Sequence, residues 1–137
     1  MKPMFSIPVR VYYEDTDSGG VVYYANYLKF MERARTEWLR ALGFEQDELL
    51  VRHGVIFAVR SAKLDFFKPG RFNDLLQVSV ALGRRGRASL TVLQRVQRED
   101  LVLCEGEVKI ACIAAESFTP CAMPDVVAAR LTAGGGV

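Results

Sequence analysis

The sequence predicts an α+β domain, a five-stranded antiparallel sheet wrapped around one central helix. Two observations carry the prediction. One stretch, from about Ala25 to Leu42, repeats apolar residues at helical spacing, while one stretch before it and four after it read as strands. The turns between the last three strands are too short for a crossover helix, so those strands run antiparallel. A helix whose apolar stripe holds Tyr27, Phe30 and Trp38 needs a sheet to cover it, and a sheet curling around that helix buries both apolar surfaces.

The first strand ends at Tyr13. Ile7, Val9, Val11 and Tyr13 alternate with Ser6, Pro8, Arg10 and Tyr12, and Pro8, which has no N–H to give, implies an edge or strand-start position. In the helix, Tyr27, Phe30, Met31, Ala34, Trp38 and Ala41 or Leu42 fall three to four residues apart, and Gly43 is its stop. Strands follow at about Val55–Phe67, Asp74–Leu82, Ala88–Gln97 and Leu101–Ala115, separated by the turns KPGRFND, GRRGR and Arg98-Glu-Asp. Pro124 suits the first turn of a short last helix. The expected domain covers residues 1–132, and the glycine-rich 133–137 are expected to form a disordered tail. An open sheet keeps exposed edges, which two copies can satisfy by joining edge to edge, so at least a dimer is expected.

Composition excludes several classes. At 137 residues, half of them hydrophobic and a quarter charged, the chain has the make-up of one globular domain. Its net charge of +2 is too small for a nucleic-acid footprint. No apolar run approaches the ~20 residues of a membrane span, and the N-terminus has no signal-peptide core, so a cytoplasmic protein is expected. Cys104, Cys112 and Cys121 form no C-x-x-C pair, and the lone His53 is far from them, so no zinc site is expected. Cys104 and Cys112 share one face of a strand and read as small buried hydrophobes.

The functional signal lies in residues Tyr13 to Tyr27, YEDTDSGGVVYYANY. A strand ends, two carboxylates follow, then a glycine pair, then the helix. This order aims Asp15 and Asp17 at a helix start, where backbone N–H groups are unpaired and carry partial positive charge. A carboxylate beside such donors has the parts for attack on a carbonyl, a base or nucleophile and an electrophilic clamp. The plainer reading is that both aspartates cap local backbone N–H groups, as loop aspartates do. A calcium loop fails, because its twelfth position is Asn26 rather than a bidentate glutamate. Glu32 and Arg35, one turn apart on the helix, read as a surface or interface ion pair. His53 reads as a loop residue, and Tyr12, Tyr23 and Tyr27 as packing or pocket walls.

The stretch VYYEDTDSGGVVYYANYL, continuing into Phe30, Glu32, Ala34 and Arg35, resembles the signature of hotdog-fold acyl-CoA thioesterases of the 4-hydroxybenzoyl-CoA thioesterase class, above all their Tol–Pal-associated bacterial branch. The Gly54-Val-Ile-Phe-Ala-Val strand, the Phe67-Lys-Pro-Gly turn and the Asp74-Leu-Leu strand start also fit. The resemblance implies a hydrolase that splits a short-chain or aromatic acyl-CoA into free acid and CoA, as a homodimer or a tetrameric dimer of dimers. Asp17 matches the catalytic aspartate, nucleophile or general base. The Tyr24 backbone N–H matches the group that polarises the thioester carbonyl, and Gly20, Val21 and Tyr27 fall among the substrate-binding positions. Tyr24 stands where the nearest branch often has histidine, so backbone polarisation is kept and any imidazole role is lost. No metal or redox cofactor is implied, coenzyme A being part of the substrate.

Arg84, Arg85 and Arg87 surround Gly86 on a hairpin turn, and the guanidinium fork matches phosphate oxygens. With Lys68 and Arg71 on what reads as the neighbouring turn, they are expected to hold the nucleotide phosphates of coenzyme A; the alternative is a solvated turn. A second functional class is a binding or scaffolding module for an acyl-CoA or an acyl carrier protein, with little turnover. Asp17 and both glycines favour chemistry, because a pure binder has no need of a carboxylate at the carbonyl. A hotdog dehydratase lacks its carboxylate–histidine pairing here.

Overall fold

The computed structural model describes residues 5–132; the tail expected to be disordered lies outside the described residues. In chain order the elements are β1 (Phe5–Arg10), a 3-10 turn (Tyr13–Asp15), α1 (Asn26–Ala41), α2 (Gln46–His53), β2 (Val55–Phe66), β3 (Leu75–Arg85), β4 (Ser89–Arg98), β5 (Leu101–Ala114), β6 (Thr119–Pro120) and α3 (Asp125–Thr132). The five long strands form one antiparallel sheet in the order β1-β3-β4-β5-β2, and the two-residue β6 adds to β5. The expected α+β hotdog architecture is present, and β1, with Pro8, is an edge strand.

The concave face of the sheet holds the core. Phe30, Met31 and Ala34 of α1 are wholly buried against Leu76, Val78, Val80, Val92, Val96, Leu103 and Val108. Gly106 of β5 leaves room for the Met31 side chain, since a Cβ there would lie 3.0 Å from its sulfur. A fully buried polar side chain, Gln94, sits among these residues. Gln94 donates to Met31 O at 3.0 Å and to Ser79 O at 3.4 Å, and accepts from Arg35 Nη1 at 3.0 Å.

Three local expectations are corrected. The first strand stops at Arg10 rather than Tyr13, because Asp15 Oδ2 accepts the Tyr12 N–H at 2.8 Å and winds residues 13–15 into a turn. A second helix, α2, precedes β2, so His53 ends a helix instead of lying in a loop. Asp47 and Glu48 in its first turn, Arg52 and His53 in its last, and Gly54 at φ 65° as its left-handed cap all favour it. Arg35 makes no ion pair with Glu32; its guanidinium turns inward to Gln94, and burial lowers its pKa from the usual arginine value.

The registers also fix which chain segments share an end of the sheet. Arg10 pairs with Leu75, Arg98 with Leu101 and Phe66 with Cys104, so these lie at one end. Arg85 pairs with Leu90, Ser89 with Ala111 and Val55 with Ala114 at the other. At this second end α3 closes the core with Val127 and Leu131, following Met123.

Candidate active site

The Asp17 segment is a small hairpin leading into α1. Thr16 bridges Val22, the Asp17 N–H donates to Val21 O at 2.9 Å, and the Gly20 N–H donates to Asp17 O at 3.0 Å. Gly20 turns the corner at φ 78°, a left-handed conformation that suits glycine. Gly19 is held differently. Its N–H donates to Asp17 Oδ1 at 2.8 Å, and a Cβ there would lie 3.2 Å from that same oxygen. The carboxylate is thereby oriented through one oxygen, and Oδ2 has no acceptor role toward any described residue. In the single chain Asp17 is exposed.

Asp15 does structural work on the other side of the hairpin. Its side chain caps Tyr12, and its carbonyl accepts the Tyr23 N–H at 2.9 Å and the Asn26 amide at 2.9 Å. The helix start thus spends its asparagine on positioning the hairpin. Ala25, the N-cap residue, supplies no side-chain cap, and the first turn holds no acidic residue. Among the described residues nothing accepts the N–H of Tyr24 or Ala25. These donors, backed by the partial positive charge of α1, lie beside a hairpin that carries a fixed carboxylate.

The loop after β2 locks onto this assembly. The Val22 N–H donates to Gly70 O at 2.8 Å, Val21 bridges Arg71, and the Gly70 N–H donates to the Tyr27 hydroxyl at 3.0 Å. A Cβ on Gly70 would lie 3.0 Å from Val22 Cγ2 and 3.3 Å from that hydroxyl, so a larger residue there must push one of them aside. Tyr27 is buried, and its pKa is raised from 10.0 mainly by that burial. Beside the helix start an open groove is lined by Val22, Tyr24, Tyr27, Phe66, Phe67 and Lys68. Its rings meet at Phe66, Tyr24 edge-on with centroids 6.2 Å apart and Tyr27 tilted at 5.8 Å. Of the other tyrosines read as packing or pocket walls, Tyr12 and Tyr23 are largely exposed.

The expected site residues therefore fall into two groups. Asp17, Gly20, Val21, Tyr24, Tyr27 and Lys68 come together at one end of the sheet. Arg84 and Arg85 lie at the other end, so the turn carrying Lys68 and Arg71 is not their neighbour within one chain. There they line a groove with Arg60 and Lys109, beside Ser89 and Thr91. None of these four cations has an ion pair among the described residues. Arg87 is exposed outside the groove lining, and its carbonyl accepts the Met123 N–H at 3.0 Å. Arg60 and Lys109 were not read from the sequence. Each is a single cation in a strand pattern, and only the pairing of β2 and β4 with β5 brings them to the hairpin tip.

A further cavity opens between α1 and β2, lined by Arg35, Thr36, Trp38, Phe57, Val59 and Leu131 among others. No described helix is long and apolar enough to cross a membrane. Among the described residues no three His, Cys, Asp or Glu side chains cluster as metal ligands.

Comparison with known proteins agrees with this geometry. The family model described as the thioesterase superfamily matches residues 19–105, from the glycine pair beside Asp17 into β5. The chain is 45% identical over 125 residues to the acyl-CoA thioesterase YbgC of Haemophilus influenzae, covering 91% of this chain and 92% of that one. It is 42% identical over 128 residues to the acyl-CoA thioester hydrolase YbgC of Escherichia coli O157:H7, covering 93% and 95% respectively. The crystal structure of a 1,4-dihydroxy-2-naphthoyl-CoA thioesterase from Synechocystis matches with a TM-score of 0.86 at 21% identity, over 93% of this chain and 95% of that one, a likeness of fold. On the hairpin, the open helix start and these matches together, the chain belongs to the thioesterase superfamily in its hotdog-fold form.

Proposed function

We propose that this protein is an acyl-CoA thioesterase, hydrolysing the thioester of a short-chain or aromatic acyl-CoA to the free acid and CoA. The observation that carries the reading is the oriented Asp17 carboxylate on a hairpin that feeds directly into the uncapped start of α1. The Tyr24 N–H, with its neighbour at Ala25, polarises the thioester carbonyl and stabilises the oxyanion as it develops. Asp17 Oδ2 attacks the carbonyl carbon or takes a proton from the attacking water, and Gly19 holds the other oxygen in place. Gly20 and Val21 shape the hairpin under the thioester, while Tyr27 and Lys68 border the groove through which the substrate enters. The reaction needs no metal and no redox cofactor.

The proposal includes a second chain. β1 is blunted by Pro8, but the β2 edge is long and carries no proline, with Val59 and Phe66 about half exposed. Antiparallel pairing of two β2 strands satisfies that edge. It also sets the Asp17 end of one chain beside the hairpin end of the other. Arg84 and Arg85, with Arg60 and Lys109, then face the substrate bound by the partner and hold its phosphates; Arg87 extends this positive rim. A dimer of dimers joins through faces outside this seam, and the assembly works in the cytoplasm. An acidic acyl carrier protein is a second substrate donor that the same positive groove suits.

The test is thiol release from a panel of acyl-CoAs, comparing the native chain with Asp17→Asn, which keeps an oxygen for the Gly19 N–H. Turnover that falls by at least ~10²-fold is expected, the scale of losing a catalytic proton-transfer group. Turnover untouched by the substitution moves the chemistry to another residue. No turnover on any substrate, with CoA or carrier protein still bound, makes the protein a binding module instead.

A further inference from the structure

We propose that Cys121 is an exchange site for low-molecular-weight disulfides, and that Cys112 resolves the mixed disulfide to leave a Cys112–Cys121 bridge between β5 and the C-terminal arm. The inference does not rest on the hydrolase reading.

The two cysteines face each other where the C-terminal arm runs back along β5. The Cys121 N–H donates to Cys112 O at 2.9 Å, directly beyond the paired Ile113 and Pro120, and the two sulfurs lie 3.8 Å apart. A disulfide holds its sulfurs about 2.05 Å apart, so side-chain rotation and a small shift of the arm close the gap. The pair sits at the sheet end away from Asp17.

The surroundings divide the labour. Cys121 is only partly covered, so a small disulfide reaches it; Cys112 is fully buried and meets no reagent directly. Burial, and then the hydrogen bond with the Cys121 sulfur, pushes the Cys112 thiol up to about 12, so it does not start the exchange. In the first step Cys121 gives up its thiol proton and attacks a disulfide RSSR, forming Cys121–S–S–R and expelling RS⁻, which takes up that proton as RSH. In the second, Cys112 loses its proton and attacks the Cys121 sulfur, releasing a second RSH. The protein gives up two protons and two electrons, and the reagent is reduced to two thiols. Proximity, rather than thiolate character, drives the second step. Cys104, buried elsewhere on β5 with its sulfur directed to Glu105 O at 3.9 Å, takes no part.

The bridge ties down the segment that carries Met123, Val127 and Leu131 into the core, and Leu131 is a wall of the cavity beside Arg35 and Phe57. Oxidation therefore fixes one wall of that cavity.

The experiment incubates the native protein with excess oxidised glutathione, then reads intact mass and maps disulfides after alkylation. The native chain is expected to lose the mass of two hydrogen atoms, with the bridge in the Cys112–Cys121 peptide pair and Cys104 alkylated. Cys112→Ser should retain a stable glutathione adduct on Cys121, and Cys121→Ser should show neither adduct nor bridge. A rise in Tm and slower proteolytic release of α3 should accompany oxidation of the native chain alone. A lasting adduct on Cys121 of the native chain overturns the proposal. So do three free thiols after a treatment that oxidises the urea-unfolded chain. Both variants exchange a thiol for a hydroxyl of similar size, and the partly exposed position 121 keeps the test usable if the buried one perturbs folding.

Discussion

The two ends of the sheet are built by different means. At the Asp17 end, position is set by backbone: a hairpin closed on itself, a helix start tied to it through Asn26, and a loop pinned by Val22, Gly70 and Tyr27. At the hairpin end, four long cations from three strands line one groove, with no ion pairs among the described residues to fix them. Bond-making demands reacting atoms held to fractions of an ångström, and short backbone hydrogen bonds supply that. Holding a phosphate demands charge within reach, and a flexible arginine supplies that at lower precision. The difference predicts that substitutions at the first end act on kcat or on folding, and those at the second act on KM.

The largest effect separates the two ends outright. Asp17→Asn should lower kcat by ~10²-fold or more while leaving Tm near the native value, because the carboxylate is exposed and the oxygen that accepts the Gly19 N–H is kept. An equal loss in Tm would show that the aspartate serves as a turn cap first.

Next come the pins behind it. Gly70→Ala pushes a methyl to within 3.0 Å of Val22 Cγ2, and overpacking of this kind costs ~1–3 kcal/mol. Tyr27→Phe leaves the buried Gly70 N–H without its acceptor, at ~1–3 kcal/mol. Urea unfolding should show both losses, and activity should fall with them, since each moves the hairpin arm that carries Val21 and Val22. Activity preserved at full stability loss would mean that the hairpin holds its shape without the loop.

At the hairpin end the expected effect is smaller and of another kind. Replacing Arg84, Arg85 or Arg60 by Ala should raise KM for an acyl-CoA by up to about 10-fold, the worth of one charge-assisted contact. Here kcat should hold, and the penalty should shrink as salt rises. A truncated substrate lacking the nucleotide should be indifferent to all three. A fall in kcat instead would place these side chains in the chemistry and erase the contrast between the ends.

Much of the first end was legible in the sequence because it is local. Asp17, Gly20, Tyr24 and Tyr27 fall within one short run, and a turn followed by an amphipathic helix brings near neighbours together whatever the rest of the chain does. The strands were legible from alternation, and Pro8 marked its edge. The second end was not. Arg60 is adjacent to Lys109 only through the β2–β5 register, and that register shifts at a bulge between Val59 and Ser61 which no periodicity reveals. The inward turn of Arg35 escaped for the same reason, since its partner Gln94 lies on a distant strand. Helix α2 was a different kind of miss: its charges and Gly54 were visible, but its single buried residue, Leu49, gives too little apolar stripe to announce a helix.

The smallest predicted effect is the pH response of a buried thiol at the Asp17 end. Cys104, on β5, faces the core near Tyr27, and its thiol is pushed up to about 12 from 9.0 by burial first, then by the Asp65 and Glu105 carboxylates. Tyr27 is raised from 10.0, again mainly by burial. Both are neutral in folded and unfolded chain at neutral pH, where their contribution is complete. Above pH 9.0 the unfolded chain loses the Cys104 proton while the folded chain keeps it, so stability falls as pH rises toward about 12. The slope for one such group is at most ~1.4 kcal/mol per pH unit. Cys104→Ala should therefore be less stable than the native chain at neutral pH, yet lose less of its stability between there and about pH 10. Arg84→Ala should follow the native pH curve throughout, because that groove buries no thiol or phenol. An unchanged slope in the Cys104 variant would mean that water reaches the thiol in the folded protein, and that the end of the sheet holding Asp17 is less tightly closed than its backbone bonds imply.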